Sequence, residues 1–201
     1  MALLDLSNIS YVVKDKAIIR DISLAIHEGD YMTIVGPSGS GKSTLLKLCS
    51  DLISPTSGYI TYNGCDLTSI DPENYRKEVG YCFQRPYLFA KTVRRNILFP
   101  YDIRGMKPDM ERIQYLFDLL HMPMEYLERR NDELSGGEMQ RICLIRSLIF
   151  EPKVLLLDEV TSALDFVNTS IVEQVIDELH NKGMTIVSIT HSEEQSLRKA
   201  N

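Results

Sequence analysis

The sequence has no CxxC pair, no block of basic residues and no apolar stretch approaching the ~20 residues that a helix needs to cross a bilayer. Each absence removes a class. The four cysteines (Cys49, Cys65, Cys82, Cys143) are scattered, which argues against a zinc site or a disulfide framework and suits free thiols in a reducing compartment. The formal net charge is -6, and the densest basic clusters are the dipeptides Arg94-Arg95 and Arg129-Arg130. Neither amounts to the basic face that tight nucleic-acid binding requires. Met1 to Tyr11 has neither the basic start nor the apolar centre of a signal peptide. No internal repeat or low-complexity linker interrupts the 201 residues, a length for one sizeable core and at most a small subdomain. The expectation is a cytoplasmic globular chain that does not cross a membrane by itself and does not bind nucleic acid.

What is present is an alternation of strand and helix patterns. Leu3 to Ile26 alternates polar and apolar in places, as antiparallel strands do. Tyr31 to Val35 is a short apolar strand, and Ser43 to Leu52 carries apolar residues at helical spacing. Tyr59 to Tyr62 reads as a strand closed by a two-residue Asn63-Gly64 hairpin, and Val79 to Phe83 as another strand. From Thr92 to Arg130 the pattern is helical and is expected to break at Pro100, Pro108 and Pro123. A helix should run from Gly136-Gly137 to Ile149. Val154 to Leu157 and Met184 to Thr190 read as strands buried on both faces, with an amphipathic helix from Val167 to Asn181 between them. This order predicts an α/β core with a mostly parallel sheet.

Three motifs carry chemistry. Gly36-Pro37-Ser38-Gly39-Ser40-Gly41-Lys42-Ser43 matches G-x-x-x-x-G-K-[ST], and it stands between a strand and a helix. Glycines let backbone N–H groups converge on phosphates, the helix N-terminus adds partial positive charge, and Lys42 reaches the β/γ-phosphates. Ser43 supplies a hydroxyl to Mg2+, and Thr44 can donate to the α-phosphate. Second, Val154 to Leu157 delivers Asp158 at the end of a strand, where ligands of open α/β sheets bind. Asp158 is expected to hold Mg2+ through water, and Glu159 to accept a proton from an attacking water. Third, Leu134-Ser135-Gly136-Gly137-Glu138 opens a second helix with two glycines. One nucleotide needs only one such loop for its phosphates, so a second suggests a site shared between two chains.

At Leu134 to Glu138 the sequence resembles the ABC ATPase family, and the likeness covers nearly the whole chain in the family's order. The resemblance implies a P-loop ABC-type ATPase fold: an ATP-binding core with an N-terminal antiparallel β subdomain over about 1–90 and 132–201, and an inserted helical subdomain over about 91–131. It implies ATP and Mg2+ as cofactors. It makes Tyr11 the aromatic that stacks on adenine, against the plainer reading of a half-buried strand tyrosine. Gln84 becomes the Q-loop glutamine, which senses Mg2+ and the attacking water beside the docking surface of a membrane partner. Ser162-Ala163-Leu164-Asp165 resembles the D-loop that crosses the dimer interface, and His191 the switch histidine that contacts the γ-phosphate. Ser135, Gly136, Gly137 and Glu138 would meet the ATP of the opposite chain in an ATP-dependent head-to-tail homodimer. Glu138 stands where many relatives have glutamine, and Val160 where many have proline; neither removes a catalytic group. Relatives usually continue further past the position of His191, so the expected dimer is weak unless a partner holds it.

Two stretches, Leu52 to Gly58 and Pro86 to Arg104, narrow the likeness to small bacterial ATP-binding subunits described as iron exporters. Such a chain would lie on the inner face of the cell membrane, against a separately encoded integral membrane permease subunit. The alternative class is a soluble ABC ATPase acting on nucleic acid or ribosomes. Those usually carry two cassettes or a long coiled-coil insertion, and this acidic chain has neither. A P-loop kinase is the third class, and the Leu134 to Glu138 motif discriminates against it.

Overall fold

The computed structural model describes residues 2–190. The chain opens with two long strands, β1 (Leu4–Val13) and β2 (Lys16–Ile26), paired antiparallel from Leu4↔Ile26 to Val13↔Lys16. Lys14 and Asp15 both take positive φ, 46° and 64°, the geometry of a tight two-residue hairpin turn. Then come β3 (Tyr31–Ile34), α1 (Lys42–Cys49), β4 (Ser57–Tyr62) and β5 (Cys65–Asp66). Asn63-Gly64 joins the last two, also at positive φ, 51° and 77°. Of these, β1, β2, β4 and β5 form one antiparallel sheet in the order β2-β1-β4-β5.

Next are α2 (Pro72–Glu78), β6 (Val79–Cys82), α3 (Val93–Asp102) and α4 (Met110–Leu119). The chain continues through α5 (Gly136–Leu148), β7 (Val154–Asp158), α6 (Phe166–Asn181) and β8 (Thr185–Ile189). The second sheet is wholly parallel, in the order β3-β8-β7-β6. Every residue of β7 is buried. Leu155 and Leu157 enter a core with Ile97, Phe117 and Ile142, while Val154 and Leu156 face Leu4, Ile26 and Leu46 on the other side. A strand covered on both faces explains the unbroken apolar run. Four parallel strands put four C-terminal ends at one edge, and the loop 36–43, Gln84 and the Asp158-Glu159 pair follow three of them.

The helical segment departs from expectation at one proline. Pro108 and Pro123 lie between helices as read, but Pro100 sits inside α3 instead of ending it. A proline in a helix interior costs about 3 kcal/mol. Its neighbours Ile97 and Tyr101 are almost fully buried, and Arg104 Nη1 donates to the Pro100 carbonyl at 3.0 Å, so packing and a side-chain donor hold the turn. The segment leaves and returns side by side. Val93 N donates to Arg129 O at 3.0 Å and Asn131 N to Lys91 O at 3.1 Å. Fully buried Asn96 adds side-chain bonds to Ala90 O and Thr92 O.

Candidate active site

Gly41 begins the site. It is the residue before α1, at φ +96°, and a Cβ there would lie 2.9 Å from both Ile18 O and Ile19 Cδ1. Only glycine suits that turn, which wraps the loop against β2. The loop and first turn, 38–44, line a cavity of about 320 Å³ whose other walls are Ile18, Gln84 and Glu159. Lys42 is buried, and its Nζ donates to Gly36 O at 2.8 Å and Pro37 O at 3.0 Å, so the ammonium lies over its own loop.

Strand ends supply the rest. Asp158 ends β7 at 4% exposure and accepts from Ser43 Oγ on Oδ1 at 2.8 Å. Tyr81 of β6 donates its hydroxyl to Asp158 Oδ2, also at 2.8 Å. Burial, and after it the bond to Asp158, pushes the Tyr81 phenol far above its usual range, so it stays a donor. Glu159 follows at φ +49°, which turns its side chain away from the strand direction; Gln84 Nε2 donates to Glu159 Oε2 at 2.6 Å. The donor set of Ser43 hydroxyl and Asp158 carboxylate is all oxygen, which fits Mg2+ bound by one or two protein groups together with phosphates. Among the described residues no cluster of three or more His, Cys, Asp or Glu could hold a metal by itself.

Other expected residues lie elsewhere. Tyr11 is half-buried in β1, paired with Ile19 and packed on the core; on that side the cavity wall is Ile18. His191 falls outside the described residues. Ser135 caps α5, accepting from Glu138 N at 3.3 Å, while Glu138 Oε2 accepts from Ser135 N at 2.7 Å. This reciprocal box satisfies two donors of the helix end. Tyr126 Oη donates to Glu138 Oε1 at 2.5 Å. Burial opposes ionisation of Glu138, but the bonds from Tyr126 and Ser135, with Arg129 nearby, together hold its carboxyl below the ordinary value of 4.5. Ser135 and Gly136 are exposed, and none of 135–138 lines the cavity around Lys42.

The D-loop candidate is tied to this second helix. Asp165 caps α6, accepting from Asn168 N at 2.9 Å and from Asn168 Nδ2 at 2.6 Å. The Asn168 side chain fills the space over Gly137. Beside it Phe166 is 87% exposed, more than any other large apolar side chain described. Sequence reasoning missed Tyr81, Tyr126 and Asn168, because each acts across elements whose pairing no local motif announces.

Residues 19–162 match the ABC transporter family. The chain belongs to that family. As an ABC cassette it is an ATP-hydrolysing enzyme with the P-loop ABC fold. It is 43% identical over 194 residues to an Escherichia coli (strain K12) protein named a probable iron export ATP-binding protein, FetA, spanning 96% of this chain and 86% of that one. It is 38% identical to a phosphate import ATP-binding protein, PstB, of Saccharolobus solfataricus, over 98% of this chain and 81% of the relative. Among solved structures, the cassette resembles a dimeric post-hydrolysis state of the ATP-binding cassette MJ0796 bound to ADP and Pi. There the TM-score is 0.84 at 28% identity, covering 95% of this chain and 89% of the other. It also resembles cbiO1 of Clostridium perfringens, part of the cbiONQ transporter complex, with TM-score 0.80 at 26% identity and coverage of 95% and 79%.

Proposed function

We propose that this cassette binds Mg-ATP on the loop 36–44, closes on a second copy head to tail, and hydrolyses ATP to drive a separate integral membrane subunit. One observation carries the reading. The chain has two glycine-bearing helix starts, but only the one at Lys42 is joined by Asp158, Glu159 and Gln84. The other presents exposed Ser135 and Gly136 beside the exposed Phe166 and Val167, a face suited to another copy's nucleotide and surface.

In that closed state the loop amides and Lys42 bind the phosphates, and Ser135 to Gly137 of the facing copy donate from the other side. Ser43 and, through water, Asp158 would hold Mg2+, which would supply charge neutralisation at the phosphate oxygens. Glu159 orients the attacking water and takes its proton, and Gln84 fixes the Glu159 carboxylate. His191 is assigned to the γ-phosphate and Tyr11 to the adenine. No step needs a nucleophilic side chain, since phosphoryl transfer rests on positioning and electrostatics.

The membrane subunit is assigned to a groove of about 320 Å³ beside the site. Phe83, Phe89, Phe99 and Ile103 line it, and all are exposed. Gln84 follows Phe83 directly, so one short segment joins groove and cavity. Among the described residues no helix is long and apolar enough to cross a membrane, which fits a peripheral position on the inner face. Iron export is the cargo reading, resting on the E. coli relative; the phosphate-import relatives have lower identity. The test pairs two measurements. Glu159→Gln should form an ATP-dependent dimer by light scattering at high chain concentration, and a chain still monomeric there at saturating ATP, with the membrane subunit present, overturns the head-to-tail mechanism. Cells lacking the cassette and its membrane subunit should over-accumulate iron under iron load, and unchanged iron overturns the cargo.

A further inference from the structure

Asp158 has a partner on each carboxylate oxygen, and only one of them belongs to a nucleotide-binding motif. Ser43 holds Oδ1 and Tyr81 holds Oδ2. A carboxylate on a short side chain rotates broadly about its last torsion. A charge-assisted bond to each oxygen removes that freedom. The register explains the pairing. Tyr81 of β6 stands opposite Leu156 of β7, and Asp158, two residues on, projects from the same face one step nearer the strand ends.

Tyr81 is itself held from behind. Ser147 of α5 donates to its carbonyl at 3.2 Å. Its ring meets Phe83 edge to face, centroids 4.6 Å apart, and both rings are in the wall of the apolar groove. We propose that Tyr81 is a positioning residue that fixes the Asp158 carboxylate for Mg2+ and ties it to the groove wall. The assignment rests on the Mg-ATP reading of the site. Outer partners of metal-holding carboxylates are commonly worth 10- to 100-fold in metal affinity. Asp158 acts through water and keeps its Ser43 bond, so the lower end applies here.

The experiment measures nucleotide and metal binding separately on the full chain. Fluorescent ATP-analogue binding is followed in EDTA and then with Mg2+ titrated in, and Mn2+ binding is followed by electron paramagnetic resonance. Tyr81→Phe should raise the metal concentration for half-saturation about tenfold. It should leave analogue affinity in EDTA unchanged and kcat at saturating Mg2+ within about twofold. Tyr81→Leu, which also removes the ring, should match it in metal affinity while melting at lower temperature. In an Asp158→Asn background Tyr81→Phe should add no further loss, as expected of residues acting as one unit. Parental metal affinity in Tyr81→Phe, an equal loss in EDTA, or additive losses in the double variant would each overturn the assignment. If the parent shows no metal-dependent nucleotide binding, the Mg-ATP reading falls and this inference with it.

Discussion

Asn168 stands directly over Gly137: a Cβ built on Gly137 would lie 2.5 Å from Asn168 Cγ. Asn168 is at the same time bonded to Asp165 by backbone and side chain. The glycine-opened start of α5 and the cap of α6 are therefore one packed unit.

Gly137→Ala should push the Asn168 amide off Asp165 while leaving the backbone cap of α6 in place. Stability should barely change, whereas ATP-dependent dimerisation and turnover should fall by about tenfold or more, because a small misplacement at a reacting site is expensive. Asn168→Ala in the same chain should restore part of the loss by removing the clash. Dimer fraction by light scattering and steady-state ATPase rate check both.

Glu159→Gln keeps the shape of the side chain and can still meet Gln84, but loses the proton acceptor. ATP binding should persist and turnover should drop by about 10²- to 10⁴-fold, the usual worth of a general base. A parental rate in this variant refutes the assignment of the base. Phosphate release under multiple-turnover conditions is the measurement.

Lys42→Ala should act earlier. Its buried ammonium is, among the described residues, the one side-chain cation on the wall of the cavity, so nucleotide affinity itself should fall, by at least about tenfold for one charge-assisted contact. Equilibrium binding of a fluorescent ATP analogue distinguishes this from the Glu159 effect.

Glu138 makes the α5 cap sensitive to acid. Its native pKa lies below the ordinary 4.5. Its contribution is therefore complete above that value and is lost as pH falls through the lower native value. Glu138→Gln does not titrate and can still accept from Ser135 N. The stability advantage of the parent over it should shrink as pH drops below about 4.5, as read from urea melts at stepped pH. Glu138→Ala, which loses the box outright, should cost about 1 kcal/mol near neutrality.

Much of this was readable before any coordinates because the chemistry is written in short segments. The strand, the loop 36–41 and α1 follow one another in sequence, and residues 38–44 of that run line one cavity. The apolar run before Asp158 announced a strand buried on both faces. Two other features were harder. Helix α2 has an Asp71 cap and Pro72 in its first turn, a start signal of the right kind, but seven residues give too short an apolar pattern to register. Tyr81 could not be placed against Asp158 without knowing that β6 neighbours β7, since 77 residues separate them. Pro100 misled for the opposite reason: local preference argued for a break, and buried Ile97 and Tyr101 overrode it.

The side-by-side entry and exit of the helical segment, stitched through Val93–Arg129 and Lys91–Asn131, close it like a cartridge, and Ile97 and Phe117 key that cartridge into the core of Leu155 and Leu157. Closure entropy between such stitched ends rises only slowly with the length of the intervening chain, by about 0.6 kcal/mol per doubling. The segment's exposed loops can therefore change length with little disturbance to the phosphate edge of the sheet, whereas losing its keyed helices would open a cavity beside β7. Its exposed apolar side chains, Phe99 and Ile103 among them, belong to the cartridge, whereas Asp158, Glu159 and Lys42 belong to the chassis. Under the proposed docking, substitutions at Phe99 or Ile103 would alter the face offered to a partner while leaving the walls of the phosphate cavity in place.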